Sequence, residues 1–504
     1  MRFGLRGAVR ALALGVALLA GATGSTALAQ PALATDRAKA LEAVDAAFAA
    51  EATAHPVGSL TVGVVEHGRL IWTKTYGYAD MDKKTPANRR TVYRIGSITK
   101  QFTAVALLQL ARDGKVRLDD PAVKYLPELR TVQGFDDAAA GQVTLLSLAT
   151  HRAGLGREPG DPSTLRGPID AWEASVRAAL ARTSYAFKPN DEALYSNIGY
   201  AALGLALENA AGTPYTELVE RKVLAPLGMT SSGFRPTPDM LARLARGYGM
   251  RNGKPDPTQA DTELVSGRGY KIPNGGLFTT VDDLAKFLAF EMGDGPAGVL
   301  PRDLVAANVQ RSFPMKGGGR YGVGFMIEPH GENQLIGHGG AVAGFTSAAY
   351  FDPRAEVGIV CLRSSDFGCE GDYFIEALAA LAPAWRGEAQ RLAAAATARA
   401  RRVADQQPFP GGEAVLRRVM GELRAGKPDY GQMSDGLADT TRQQLPGLQA
   451  MLARMGDLQS LTFKGVGPNG ADIYEAVFGG GKLAWRLVLA PDGRLQALGV
   501  GAPR

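Results

Sequence analysis

A serine stands three residues ahead of a lysine in Tyr93-Arg94-Ile95-Gly96-Ser97-Ile98-Thr99-Lys100, which leads into the apolar stretch Gln101 to Ala111. On a helix that spacing puts both side chains on one face, so the Lys100 amine can reach the Ser97 hydroxyl. A serine hydroxyl is a weak nucleophile until a base takes its proton, and a lysine kept neutral by burial or by neighbouring cations can be that base. The start of a helix adds free backbone N–H groups, suited to the negative charge that forms on an attacked carbonyl. The plainer reading makes Ser97 a helix cap and Lys100 a solvated helix residue. Against it, Phe102, Val105, Ala106, Leu107, Leu108 and Leu110 spread around much of the circumference, which predicts a buried helix with a lysine at its mouth.

Two further groups carry chemistry. Tyr195-Ser196-Asn197 lies between Phe187-Lys188-Pro189-Asn190 and a predicted helix from Ile198. A tyrosine beside a lysine ammonium is pushed toward phenolate and can shuttle protons, while an asparagine amide can hold a substrate carbonyl. Equally, Asn197 can cap the following helix and Tyr195 can be a packing residue. Gly337-His338-Gly339-Gly340 closes a predicted strand ahead of Phe345-Thr346-Ser347. Glycines there let a ligand approach the backbone, so the strand edge can bond a bound chain, and the Ala341 N–H can join that of Ser97 as an oxyanion hole. A glycine-rich turn with an incidental histidine is the alternative.

Taken together, Ser97-x-x-Lys100, Tyr195-x-Asn197 and His338-x-Gly340, each occurring once and in this order, resemble the active-site set of the serine β-lactamase and penicillin-binding family. The likeness is to the branch of class C β-lactamases, D-alanyl-D-alanine carboxypeptidases, D-aminopeptidases and related esterases. It extends to the flanks Gly114 to Pro121, Thr150-His151-Arg152-Ala153-Gly154-Leu155, Pro226-Leu227-Gly228-Met229 and Gly275-Gly276-Leu277, and covers about Leu41 to Ala384. The resemblance implies an α+β fold: a five-stranded antiparallel sheet flanked by helices, with a helical subdomain and the cleft between them. It implies that Ser97 forms the acyl-enzyme, that Lys100 and Tyr195 are the base and acid pair, and that Asn197 orients the substrate amide. By the same resemblance Tyr195 later helps to activate the deacylating water. One departure stands out. Where β-lactamases of this branch usually carry Lys-Thr-Gly, this chain has His338-Gly339-Gly340, and a histidine is mostly neutral at pH 7 where a lysine gives a fixed charge for a substrate carboxylate. The expected preference is therefore esterase- or D-aminopeptidase-like, with weak β-lactam hydrolysis at most.

The elements that must position these residues follow from the hydrophobic periodicity. Leu41 to Ala54 predicts a helix, and Ser59 to Glu66 with Arg69 to Tyr78 predicts a hairpin turning at His67-Gly68. Strands recur at Gln334 to His338, Phe345 to Asp352 and Glu356 to Arg363, then a helix at Asp372 to Ala384. Helical spacing fills the middle at Ser97 to Asp113, Val143 to Thr150, Ile169 to Ala181, Ile198 to Ala211 and Tyr215 to Leu224. Strands at both ends with helices between predict one sheet carrying a helical insertion. The hydrolase domain is expected over 30–386 and a helical linker over 387–412. A small α+β domain at 413–504 has helices at Glu413 to Ala425 and Thr440 to Met455 and four short strands; it has no histidine or cysteine, and its role is open.

At 504 residues a large domain plus a smaller one is the expectation, and 45% hydrophobic with 21% charged residues is close to globular averages. Arg2, Arg6 and Arg10, the apolar run Ala11 to Ala20 and Ala27-Leu28-Ala29 read as a signal peptide cleaved after Ala29, giving a periplasmic or secreted protein. The apolar run is too short for a spanning helix, so no stable membrane anchor is expected. Losing the three leader arginines lowers the formal charge from +6 to +3, which gives no basis for a nucleic-acid partner. Cys361 and Cys369 are read either as a disulfide or as buried free thiols. No cofactor or metal is expected, because His55, His67, His151, His330 and His338 show no ligand spacing. A hydrolase with His151 or His338 as base is disfavoured by the lack of Gly-x-Ser-x-Gly. The rival from another class is a penicillin-binding sensor or peptidoglycan-binding protein that acylates slowly or not at all. The expected partner is a small-molecule or peptide substrate, of which a peptidoglycan fragment is one candidate.

Overall fold

The computed structural model of the chain describes residues 29–160, 166–315, 318–490 and 492–502. The expected leader thus falls outside the described residues, apart from Ala29, where the first helix α1 (Ala29–Ala54) begins. That helix starts well before the expected Leu41.

β1 (Ser59–Glu66) and β2 (Arg69–Asp80) form the expected hairpin. Its two-residue turn places both His67 (φ 46°) and Gly68 (φ 70°) in the left-handed region, the backbone twist that suits tight antiparallel connections. Far along the chain come β3 (Met326–His330), β4 (Asn333–Val342), β5 (Phe345–Asp352) and β6 (Val357–Arg363). The antiparallel order is β2-β1-β6-β5-β4-β3, so the N-terminal hairpin pairs with the last strand of the group, Val62 opposite Cys361. The five expected long strands are β2, β1, β6, β5 and β4. The sheet is extended by β3 and by the two-residue strands Thr85–Pro86, Arg320–Tyr321 and Phe313–Pro314, giving nine in all among the described residues.

Alternation along the strands separates two cores. Val62, Val64, Ile359 and Cys361 face α1 and a later helix α7 (Asp372–Leu381), packing with Val44, Phe48, Phe374 and Leu378. Val65, Val360 and Leu362 face the opposite layer, with Val281, Leu284 and Phe287 of α6 (Val281–Ala289). Within that layer α2 (Thr99–Arg112) is buried at every residue from Thr99 to Leu110, as its all-round apolarity predicts, and Phe102 stacks on Phe287 at 3.7 Å between ring centroids. Around α2 pack α3 (Leu145–Ala149), α4 (Trp172–Leu180) and α5 (Asn197–Ala211).

The stretch read as a linker is mostly one helix, α8 (Arg386–Asp405). Beyond it, α9 (Gly412–Ala425) and α10 (Asp435–Met455) cover an antiparallel meander of β7 (Leu458–Val466), β8 (Asp472–Phe478), β9 (Gly481–Leu489) and β10 (Leu495–Gly501). Leu416, Val419, Tyr474, Trp485 and Leu487 form its own core. The carboxylate of buried Asp472 accepts from Arg402 of α8 and, at 2.8 Å, from the Phe409 amide, so the connecting helix is bonded to this sheet.

Candidate active site

Ser97 sits in a 3-10 turn, Gly96–Ile98, immediately before α2, and not within the helix itself. Tyr93–Arg94 pairs with Phe278–Thr279, and the Ile95 amide bonds the Leu277 carbonyl, which fixes the approach to the turn. The turn then presses against β4. Gly96 has φ 50°, and a Cβ there would lie 2.8 Å from the Ala341 nitrogen; one on Gly340 would lie 2.0 Å from the Ile95 carbonyl oxygen. Only glycine permits backbones this close. Ser347 of β5 locks the contact by donating to the Ile95 carbonyl at 2.9 Å. Contrary to the turn alternative, the Gly337–Gly340 run is continuous strand, paired residue by residue with β5 through Val342. Ser97, Tyr195, His338, Gly339, Gly340 and Ala341 all line one cleft of about 610 Å³.

Lys100 is fully buried, with Nζ 3.1 Å from Ser97 Oγ, 2.8 Å from Asn197 Oδ1 and 3.0 Å from the Asn274 carbonyl. Burial, aided by the cations Arg157, Arg268 and Lys271 and opposed by Glu158, holds the amine well below its usual pKa. The geometry agrees with a neutral amine. Two of the three partners are carbonyl oxygens that only accept, taking both N–H bonds, and the third is a hydroxyl able to donate to the remaining lone pair.

Tyr195 places its ring 4.6 Å from Lys100 Nζ and lines the same cleft as Ser97, whose hydroxyl works to lower the pKa of the phenol. Its state differs from the expectation. Burial raises the phenol above its ordinary pKa despite the lowering effects of Ser97 and Arg157, and the carboxylates Glu158 and Glu370 push in the same direction as burial. Tyr195 is a held proton. Asn197 also differs: its oxygen accepts from Lys100 and its nitrogen donates to Glu158 Oε1 at 2.7 Å, so the amide orients the lysine. Holding a substrate carbonyl would require Nδ2 to exchange Glu158 for it. His338 is nearly buried at the cleft wall, and burial and Lys100 lower its pKa to about 3. Its Nδ1 bonds the Gly339 carbonyl at 2.5 Å and its Nε2 meets the Tyr321 hydroxyl at 3.0 Å, so neither nitrogen is directed to Ser97. His151 does not serve as the base either, since its Nδ1 accepts from the Ser196 amide.

Comparison with known families matches residues 44–382 to the family described as Beta-lactamase. The chain belongs to that family. Membership of the beta-lactamase family supports serine-hydrolase chemistry in the broad sense. Among solved structures it is similar to a class C beta-lactamase, 22% identical with a TM-score of 0.57, covering 69% of this chain and 96% of the other; a mutant class C beta-lactamase superposes equally. That likeness establishes the α+β fold. "Protein flp" of Staphylococcus aureus (strain N315) is 26% identical over 308 residues, 60% of this chain and 58% of its own length. "Uncharacterized protein MT1414" of Mycobacterium tuberculosis (strain CDC 1551 / Oshkosh) is 31% identical over 258 residues, 47% of this chain and 63% of its own. The chain thus spans less than two thirds of these relatives.

The beta-lactamase-family site also contains residues that the motifs did not reveal. Asn274, just ahead of the quoted Gly275-Gly276-Leu277, donates from Nδ2 to the Asn197 carbonyl at 2.9 Å and accepts from Lys100 through its own carbonyl. Arg157 and Glu158 come from a loop with no periodic signal. On the cleft wall, Glu370 lies so close to Gly339 that a Cβ there would fall 1.8 Å from its Oε1, and Glu328 accepts from Tyr350 at 2.9 Å. Burial, with the neighbouring Glu328 adding to it, pushes the Glu370 pKa up to about 7. Of the two readings of the cysteines, the disulfide is the observed one: Cys361 in β6 is bridged to Cys369, the residue next to Glu370.

Proposed function

We propose that the protein is an exported serine hydrolase that forms an acyl-enzyme on Ser97 and cleaves uncharged or amine-bearing esters and amides, such as short esters or D-amino acid amides and peptides. The observation that carries the proposal is the buried Lys100 amine at 3.1 Å from Ser97 Oγ, with the Tyr195 ring 4.6 Å from the same amine and in the same cleft. Lys100 takes the Ser97 proton as Oγ attacks the carbonyl carbon, and the N–H groups of Ser97 and Ala341 receive the oxyanion. The Tyr195 phenol gives its proton to the leaving group and is reprotonated from Lys100. In the second half a water attacks the acyl carbon as the Lys100 amine takes its proton, while the Tyr195 phenol gives its proton to the departing Ser97 Oγ and recovers one from Lys100, which frees Ser97.

The wall around β4 favours this substrate class. His338 is neutral there, and the wall carries Glu328 and a Glu370 that is ionised only in part at neutral pH, where an anionic substrate would need a cation. The two arginines of the cleft are otherwise engaged, Arg157 over the Tyr195 ring at 5.0 Å and Arg320 on Ser312. The cystine supports an oxidising compartment. Assays of p-nitrophenyl esters, D-amino acid amides, D-alanyl dipeptides and a chromogenic cephalosporin, with wild type and Ser97→Ala, test the reading. Turnover of esters or amides that vanishes in Ser97→Ala is expected, with slow cephalosporin hydrolysis. Rapid cephalosporin turnover contradicts the preference, and a stable Ser97 adduct with a fluorescent penicillin but no turnover points to a sensor.

A further inference from the structure

His151 lies at the end of α3, where the chain leaves the helix through a left-handed residue. The Arg152 amide bonds the Ser147 carbonyl at 2.7 Å and the His151 amide the Leu148 carbonyl at 3.4 Å, the bond pair of a Schellman termination. The left-handed position is usually glycine, yet here it is a histidine with φ 60°. What the histidine adds is contact with Tyr195 from both sides. The Leu194 amide donates to the His151 carbonyl at 3.0 Å, and the Ser196 amide donates to its Nδ1, also at 3.0 Å. The amides of the residues on either side of Tyr195 are thus bonded to one residue, whose ring also packs on the Tyr195 ring at 4.5 Å between centroids. An Nδ1 that accepts fixes the neutral tautomer with its proton on Nε2. That Nε2 is buried with no hydrogen-bond partner, and the imidazole lies 4.4 Å from the Tyr321 ring between centroids. Helix termination alone requires none of this.

We propose that His151 is a positioning residue that clamps the Leu194–Ser196 backbone and the Tyr195 ring so that the phenol stays in the cleft beside Ser97 and Lys100. The inference rests on the proton-donor role proposed for Tyr195. Its test is a double-mutant cycle on the full chain, with kcat for a p-nitrophenyl ester, the rate of fluorophosphonate labelling and the melting temperature measured for each variant. His151→Ala is expected to lower kcat about 10- to 100-fold with little change in KM, as for a misplaced catalytic group. In a Tyr195→Phe background the same change should cost less than about twofold, since there is no phenol left to place. His151→Asn should retain most of kcat, because Asn tolerates positive φ and its amide oxygen can accept the Ser196 N–H. Wild-type kcat in His151→Ala, or an equal loss in both backgrounds, overturns the proposal. If His151→Ala does not fold, His151→Asn decides: a loss beyond tenfold at an unchanged melting temperature overturns it. Should Tyr195→Phe itself cost nothing, the proton role fails and this proposal with it. An impaired Tyr195→Phe beside an intact His151→Ala rejects the clamp alone.

Discussion

At the scale of single residues, the site is a problem of keeping one amine uncharged. Lys100 has two carbonyl acceptors and one hydroxyl, no carboxylate in contact, and three cations nearby. Because its pKa is depressed, ester hydrolysis is expected to persist at neutral pH and to fall on the acid side as Lys100 gains a proton. Removing a cation that depresses it reverses part of the shift. Arg157→Gln should therefore move the acid limb of kcat/KM to higher pH, and a pH profile of ester hydrolysis reads this directly. Lys100→Met should lower the acylation rate by about 10²- to 10⁴-fold across the range. The residue types and spacing made Ser97, Lys100 and Tyr195 legible in the sequence. The protonation states were not, because they depend on Arg157, Glu158 and Arg268, which reach the site only through the fold.

At the scale of elements, β4 and the turn before α2 act as one unit. Gly340→Ala would drive a Cβ to 2.0 Å from the Ile95 carbonyl and 2.3 Å from Ser347 Oγ, so backbone must move. That variant should lose more than about tenfold in kcat/KM and several degrees in melting temperature, in keeping with overpacking penalties of about 1–3 kcal/mol. At Gly339 the obstacle is the mobile end of Glu370. Gly339→Ala should melt close to wild type but show a raised KM for amine-bearing amides relative to neutral esters, as Glu370 is displaced. Periodicity exposed the helices and strands themselves. It did not show that β4 runs through its glycines to Val342, nor that Ser97 begins in a 3-10 turn, because both are set by pairing with β5 and by the tight approach of distant backbone.

At the scale of the whole molecule, residues lining the cleft run from Ser97 to Glu370, and the C-terminal sheet contributes none of those described. The cystine ties the last part of this wall to the centre of the sheet, with Cys361 opposite both Val62 and Ala348. Closing so short a loop contributes about 2–3 kcal/mol. Its larger effect should be on selectivity: Cys361→Ala with Cys369→Ala, or reduction, is expected to weaken discrimination between amine-bearing amides and neutral esters while Ser97 labelling persists. Loss of labelling in a folded, reduced protein would contradict that. The small C-terminal α+β domain was readable from turn residues such as Pro491-Asp492-Gly493 between alternating runs, whereas the choice between cystine and free thiols needed the distance between β6 and residue 369.

The pairing of β1 with β6 also sets a timetable for synthesis. At typical elongation rates the stretch from Val62 to Cys361 takes roughly 15–60 s to make. Throughout that interval the first hairpin has no partner on its inner edge. The nascent chain is thus committed to finishing the central sheet late, and until then it presents a strand edge open to pairing elsewhere.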